Sequence, residues 1–175
     1  MKQNIILKKM ILASSFTAIS VIIDIFFKTI LNIANFGLPF YAIPIVLGSM
    51  ILGPFYGMGI GIISDAFGVF MSGYDYLPLY ALAAVFWGLI PGLLNRGKVV
   101  KSKLIISIFL AYLFANLSNT LANYIYFGYQ TALATMAIRL SLLPFNAVMI
   151  YMFTYDIYIK LDVYISKFQF AHTPM

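Results

Sequence analysis

Residues 131–155 form a largely apolar stretch that carries one arginine, Arg139, about a third of the way along it. As a helix, this stretch is long enough to cross the ~30 Å hydrocarbon core of a bilayer. A guanidinium at that depth costs at least ~2.5 kcal/mol on insertion, and more if it faces lipid. Arg139 must therefore face a carboxylate, a water-filled cavity or an anionic ligand.

The composition of the whole chain fits a membrane environment. Of its 175 residues, 63% are hydrophobic and 9% are charged, so a soluble domain of this composition would have an apolar surface. We therefore expect a single all-α domain over residues 1–175, embedded in membrane lipid. The absence of cysteine excludes disulfides and thiolate metal sites. His172, the only histidine, is expected to be a solvated tail residue, and no cofactor or metal site is predicted.

Six segments are predicted to cross the membrane as helices. The first is kept rather than cleaved as a signal peptide, because Asp24 and Lys28 close it and no small-residue cleavage site does. The second is short and ends at Gly53-Pro54, where the proline suits the first turn of the next helix. Five spans remain an alternative if this segment is re-entrant. The six predicted spans are residues 5–30, 41–53, 54–71, 77–94, 104–127 and 132–161.

The basic residues predict the orientation of these spans. With six spans, the basic groups before the first, between the fourth and fifth, and after the sixth all fall on one side. Lys28 alone lies near the other side. The positive-inside rule then places both termini in the cytoplasm, and the net charge of +6 needs no nucleic-acid partner. The clustered basic residues are Lys2, Lys8, Lys9, Arg96, Lys98, Lys101, Lys103, Lys160 and Lys167.

Polar side chains are predicted to converge in the outer half of the membrane. At ~1.5 Å per residue, Arg139 lies ~10 Å and Asp65 ~9 Å below the outer boundary. Four polar residues of the fifth span recur on one helix face, which must point inward to avoid lipid. That face comprises Asn116, Asn119, Thr120 and Asn123, and Asn146 extends the face of Arg139. We predict a substrate cavity there, with Asp65, Asn116, Asn119, Asn123, Arg139, Asn146, Tyr74, Tyr76 and Tyr80 as binding residues.

Aromatic residues of the predicted outer loops, residues 33–40, 72–76 and 128–131, surround this cluster and suit a flat, hydrogen-bonding ligand. Two structural alternatives stay open. Asp65 and Arg139 could form an interhelical ion pair, with the asparagines bonding across helices. Each tyrosine could belong to the interfacial aromatic belt. The aromatic residues concerned are Phe36, Phe40, Tyr74, Tyr76 and Tyr129.

Small residues recur every four positions on two spans. Gly53, Gly57 and Gly61 do so on the third, and Ser14 and Ala18 on the first. Such faces let helices approach closely. Packing within the protein is the first interpretation, and docking onto another membrane subunit is the second.

The motifs of enzymes and ATP-driven pumps are missing. There is no P-loop, no HExxH, no Ser-His-Asp set, and no carboxylate pair spaced for acid/base catalysis. No internal inverted repeat suggests a self-contained carrier. The chain is therefore predicted to be no enzyme but a substrate-capturing subunit that takes its energy from a partner.

Residues 40–65 contain the pattern Pro-x8-Gly-Pro-x-x-Gly followed by an aspartate, and an arginine precedes a proline in the sixth span, here Arg139 and Pro144. With six compact helices, the whole chain resembles the substrate-binding S components of energy-coupling factor (ECF) vitamin transporters, and these motifs are similar to the folate branch. The resemblance implies a multi-pass protein of a bacterial plasma membrane that captures a vitamin from outside. It further implies docking on a transmembrane coupling subunit driven by two cytoplasmic ATPase subunits, with Ser14 and Ala18 in the docking face of span one.

Folate is the expected ligand within that family. Asp65 could bind the amide-amidine edge of its pterin, and Arg139 a carboxylate of its tail. Pantothenate or another small acid is the alternative and would use Arg139 alone, whereas cationic thiamine gains nothing from a pocket arginine. A membrane scaffold or assembly protein with a purely structural polar interior remains a different class of function.

Overall fold

The computed structural model describes residues 2–30, 38–95 and 99–165. Within these ranges all regular structure is helical, which confirms the predicted all-α class, and there are six α-helices. Their bounds are α1 Lys2–Ile25, α2 Ala42–Leu52, α3 Pro54–Met71, α4 Ala81–Leu94, α5 Lys101–Phe127 and α6 Tyr129–Ile165. A π-helical turn, Phe26–Ile30, extends α1, and a 3-10 turn, Pro78–Tyr80, precedes α4.

Four of the helical segments are long and apolar enough to cross a membrane. They are Asn4–Thr29, Pro54–Met71, Lys101–Phe127 and Tyr129–Leu161. Two further apolar helical segments are shorter, Ala42–Leu52 and Pro78–Leu94. The predicted short second segment is therefore present as a helix of only 11 residues.

The helices alternate in direction. Lys9 near the start of α1 lies 6.0 Å from the ring centroid of Tyr56 near the start of α3, and Asp24 near the end of α1 contacts Gly68 near the end of α3. These two helices are therefore parallel. Consecutive helices are antiparallel, so α1, α3 and α5 begin at one end of the bundle and α2, α4 and α6 at the other. We call the first the basic end, because it carries Lys8, Lys9, Lys101, Lys103 and Lys160.

The glycines of α3 allow close crossing of neighbouring helices. A Cβ at Gly57 would lie 2.6 Å from the carbonyl oxygen of Gly88 on α4 and 2.9 Å from the Cα of Ser49 on α2. A Cβ at Gly61 would lie 2.9 Å from the carbonyl carbon of Ala84. No side chain fits there without moving backbone. These two glycines thus serve packing within the protein, the first of the two interpretations that the sequence allowed.

The turn between α2 and α3 depends on a second property of glycine. Gly53 has φ +103°, a conformation that residues with a Cβ rarely adopt, and Pro54 occupies the first turn of α3 as predicted. This sharp reversal folds α2 against α3. All but two of the eleven residues of α2 are buried, so the helix lies inside the bundle. The Ser20 hydroxyl donates a 2.8 Å hydrogen bond to the carbonyl of Tyr41, at the start of α2.

Three helices begin earlier than predicted. The first begins at Lys2 rather than Ile5, the fifth at Lys101 rather than Leu104, and the sixth at Tyr129 rather than Ala132. Hydropathy marks where a helix enters the apolar layer, whereas a helix of lysine and polar residues continues into water at little cost. Gly128, with φ +87°, is the whole connection between α5 and α6, so the predicted loop 128–131 is largely helical.

Some predicted features lie outside the described residues. They are Phe36 and most of the predicted loop 33–40, the basic residues Arg96, Lys98 and Lys167, and the tail residue His172.

Candidate functional site

The helices part at the end opposite the basic end and enclose a cavity of about 390 Å³. Such a volume suits a small organic ligand. Five of the six helices, both short turns and the segments around them contribute to its wall. The lining residues are Asp24, Phe27, Lys28, Leu38, Pro39, Tyr41, Asp65, Val69, Tyr74, Asp75, Leu77, Tyr80, Trp87, Tyr112, Ala115, Asn116, Asn119, Phe127 and Arg139.

Asp65 of α3 and Arg139 of α6 both line this cavity, and neither neutralises the other. The ion pair that joins described residues is a different one, between Lys28 and Asp24. The Oδ2 atom of Asp65 and the Nη1 atom of Arg139 are buried and have no hydrogen-bond partner among the described residues. A buried charged atom without a partner is costly, so these two atoms suit a ligand that supplies the missing partners.

The asparagine face of α5 divides into two parts. Asn116 is buried at the cavity wall, and its Oδ1 atom has no partner within the described ranges of the chain. Asn119 lines the cavity beside it. Asn123, one turn further, is used by the protein itself. Its Oδ1 accepts a hydrogen bond from the Tyr80 hydroxyl, and its Nδ2 donates to the Thr135 hydroxyl at 2.7 Å. Asn123 thus has the interhelical role that was the structural alternative, whereas Asn116 presents a free acceptor to the cavity.

The backbone of Arg139 is hydrogen-bonded to Tyr112, which is in turn hydrogen-bonded to Asn146. The Tyr112 hydroxyl donates to the backbone carbonyl of Arg139 at 2.9 Å and accepts from Asn146 Nδ2, also at 2.9 Å. Asn146 is fully buried and is not among the lining residues. Tyr112 itself lines the cavity, so this pair connects the cavity wall to the turn of α6 that carries the arginine.

Aromatic rings form the rest of the wall. Trp87, the only tryptophan of the chain, is 1% exposed and meets the Tyr112 ring edge-on, with centroids 6.0 Å apart. Tyr74 and Tyr80 line the cavity, while Tyr76 is exposed and lies outside the lining. Partial burial and the charge of Asp65 raise the pKa of the Tyr76 phenol, so this side chain stays protonated at neutral pH.

The part of the cavity wall formed by the end of α1 and the π-helical turn was not predicted from the sequence. Asp24, Phe27 and Lys28 all line the cavity, and Lys28 Nζ lies 2.6 Å from Asp24 Oδ2. The two charges are four residues apart and bracket the start of the π-helical turn, a feature frequent at functional sites. Their i, i+4 spacing was the available signal, but the same charges also mark the end of a span. Trp87 and Tyr112 gave no signal, because an aromatic residue in an apolar helix has many possible roles.

The second small-residue face is open. Ser14 and Ala18 of α1 are exposed, and the Ser14 hydroxyl donates to the Met10 carbonyl of its own helix at 2.9 Å. This surface of α1 differs from that of Gly57 and Gly61, which other helices of the chain cover. Among the described residues, no group of three His, Cys, Asp or Glu side chains could hold a metal ion.

Comparison with known families places the cavity in context. The family model described as ECF transporter, substrate-specific component, matches residues 8–159. No curated protein and no solved structure gives a significant match to the chain.

Proposed function

Because this chain belongs to the family of ECF transporter substrate-specific components, we propose that its cavity captures folate from outside the cell for delivery through a coupling module. Proteins of this family are substrate-binding subunits of ECF importers and are not enzymes. The family and the apolar helices together identify a multi-pass membrane protein. The folate assignment, the orientation and the partner subunits are the proposal.

The unpaired atoms of the cavity favour folate over a simpler anion. Asp65 Oδ2 offers an acceptor, which pairs with the amide-amidine edge of a pterin, and Arg139 Nη1 offers a donor for a tail carboxylate. Asn116 Oδ1 adds a second acceptor, and Trp87 and Tyr112 form an aromatic wall for a flat ring. Pantothenate would leave Asp65 without a partner, and a cation such as thiamine would leave Arg139 without one.

A purely structural role does not account for the buried polar atoms of Asp65 and Arg139. Polar groups that only hold helices together are paired with each other, as Asn123 is with Tyr80 and Thr135. Asp65 and Arg139 are not paired in this way. This observation carries the proposal of a ligand site.

We propose that the basic end faces the cytoplasm and that the cavity opens to the outside. The alternating helix directions gather the lysines of three helices at one end, which the positive-inside rule assigns to the cytoplasm. The native chain has no cysteine, so single cysteines can test this. A membrane-impermeant maleimide added to whole cells should label Tyr129→Cys and not Lys103→Cys. The reverse pattern would contradict the orientation.

The coupling subunit is proposed to dock on the exposed face of α1 that contains Ser14 and Ala18, with two cytoplasmic ATPase subunits supplying the energy. Small side chains there let a partner helix approach closely, and none of the six described helices of this chain covers them. The subunit alone should then bind its substrate and neither hydrolyse ATP nor transport. ATP-driven uptake by liposomes that contain only this subunit would contradict the proposal.

Thermal unfolding of the detergent-purified protein with a panel of B vitamins tests the ligand. A ligand that binds the native state stabilises it by RT ln(1 + [L]/Kd), about 2.7 kcal/mol at a hundredfold excess over Kd. Folate should raise the melting temperature and change the fluorescence of Trp87, which lies in the cavity wall. Stabilisation by pantothenate and not folate would replace the assigned vitamin. No stabilisation by any vitamin would favour the scaffold class.

A further inference from the structure

Three charged side chains share one wall of the cavity. Asp65 comes from α3, Asp24 from α1 and Lys28 from the π-helical turn, and all three are lining residues. Asp24 packs against Gly68, which lies three residues after Asp65 on α3, and Lys28 Nζ lies 2.6 Å from Asp24 Oδ2, so the Lys28–Asp24 pair lies beside Asp65. When a ligand ring binds Asp65 through one edge, the neighbouring atoms of that ring are therefore close to the positive charge of the Lys28 ammonium.

Asp24 is held in place by the packing of α1 against α3. A Cβ at Gly68 would meet Asp24 Oδ2 directly and would lie 3.2 Å from its Cγ. The carboxylate is thus fixed between the two helices, and it holds Lys28 Nζ at 2.6 Å. The glycine at position 68 leaves the room that this carboxylate occupies.

Lys28 keeps donors for a ligand. An ammonium carries three N–H bonds, and within the described part of the chain its hydrogen bond is the one to Asp24. Its side chain is 23% exposed and lines the cavity, so the remaining N–H bonds have space on the cavity side. Asp24 orients the ammonium and compensates its charge.

We propose that Lys28 is a specificity-determining residue that donates a hydrogen bond to an acceptor atom of the ligand, next to the donor edge bound by Asp65. Asp24 and Gly68 are positioning residues for it. The ligand class is a flat heterocycle in which a ring oxo group adjoins an N–H edge, so the site favours an oxo over an amino substituent there. This inference rests on the proposed function, because it requires a ring edge at Asp65.

Folate and its 2,4-diamino analogue, in which an amino group replaces the ring oxo group, form a matched pair of probes. Their dissociation constants are measured by calorimetry for the wild-type protein and for Lys28→Met. An amino group cannot accept the hydrogen bond and faces a positive charge. Removing Lys28 should therefore shift the affinity ratio of the two compounds about tenfold or more toward the diamino analogue. The ratio is the readout, because general destabilisation would weaken both compounds equally.

Two further variants keep the test decisive. Lys28→Met leaves a buried carboxylate unpaired, so the neutral double variant Asp24→Asn/Lys28→Met removes the pair without that cost. It should show the same shift in ratio. Gly68→Ala should displace Asp24 and shift the ratio in the same direction. Gly59→Ala, in the same helix, is the matched control, because its Cβ meets no atom of the residues that the structure describes within 4 Å. It should leave the ratio unchanged.

The outcomes separate the two hypotheses. If wild-type protein binds either compound and the ratio is the same in the neutral double variant, the role of Lys28 is overturned and the capture function stands. A ratio shift in Gly59→Ala as large as that in Gly68→Ala would overturn the positioning role of Asp24 and Gly68. If wild-type protein binds neither compound, the proposed ligand is wrong and the inference about Lys28 falls with it.

Discussion

The two halves of α3 have different structural roles: the first packs tightly against another helix, and the second lines a cavity. In the first half, Gly57 and Gly61 touch the backbone of α4 so closely that no side chain fits. In the second half, the helices part and Asp65 lines a cavity, where its Oδ2 atom has no hydrogen-bond partner in the described part of the chain. One helix therefore combines a rigid crossing with an open site. The closed half should determine stability and the open half affinity, so substitutions in the two halves should be separable.

The largest effect is expected in the closed half. Gly57→Leu would introduce a branched side chain whose Cβ alone would lie 2.6 Å from the carbonyl oxygen of Gly88. We expect a loss of more than ~3 kcal/mol in stability, seen as a low yield of folded protein and a lower melting temperature. Gly59→Leu is the control, since a Cβ at Gly59 meets no atom of the described residues within 4 Å. Equal melting temperatures for the two variants would show that the crossing is not tight.

The next effect belongs to the open half. Arg139→Ala should weaken folate binding by ~10-fold or more, the contribution of a charge-assisted hydrogen bond of ~1.5–3 kcal/mol. The melting temperature of the ligand-free protein should change little, because Arg139 forms no ion pair with Asp65. Arg139→Lys should restore affinity only in part, since a point charge lacks the planar bidentate geometry.

A double variant distinguishes ligand binding by Arg139 from neutralisation of Asp65 by Arg139. If Arg139 neutralised Asp65, its removal would destabilise the ligand-free protein by ~3–5 kcal/mol, and adding Asp65→Ala would recover much of that loss. We expect neither result. Unchanged folate affinity in Arg139→Ala would remove the arginine from the ligand site altogether.

A smaller effect is expected at Tyr112, which both packs between helices and lines the cavity. Tyr112→Phe keeps the ring that packs on Trp87 but removes the hydroxyl that bonds to the Arg139 carbonyl and to Asn146. Stability should fall by ~1 kcal/mol and folate affinity by less than in Arg139→Ala. In the Arg139→Ala background, Tyr112→Phe should lower affinity no further. Additive losses would show that the hydroxyl acts on the ligand and not through the arginine.

The smallest effect on the isolated protein is expected at the small residues of α1. Ser14→Leu and Ala18→Leu lie on an exposed surface, so stability should stay within ~0.5 kcal/mol of wild type and folate affinity should not change. Association with the coupling subunit, followed by co-purification and folate uptake, should be lost. Variants that still support uptake would show that this face of α1 is not the docking surface.

Features governed by solvation could be predicted from the sequence. A charge or an amide in an apolar helix must face inward, which is why Asp65, Arg139 and Asn116 were expected at a cavity and now line one. The break at Gly53-Pro54 follows from the conformations of glycine and proline, and it is present. The predicted first residues of the helices were less accurate, because hydropathy indicates which residues contact lipid and not where the hydrogen bonding of a helix begins.

Features that depend on contacts between helices could not be predicted in this way. Asn116 and Asn123 have the same chemistry and lie on the same face, yet only the position of Tyr80 and Thr135 decides that Asn123 is bonded within the protein. Asp24 and Lys28 look like the end of a span, and only the crossing of α1 with Gly68 brings them to the cavity. A single sequence contains no record of these pairings.

The burial of α2 has a consequence for biogenesis. Eleven residues cover ~16 Å, about half of the ~30 Å apolar layer, so this helix is too short to partition into lipid as an independent segment. In the finished protein its surroundings are other helices, and during synthesis these arrive one at a time. We therefore expect the insertion machinery to hold α2 until α3 emerges, and the Gly53 reversal to let the two enter as one hairpin against α1. Substitutions that stiffen Gly53 should then lower the yield of inserted protein while leaving the molecules that do insert normal in affinity.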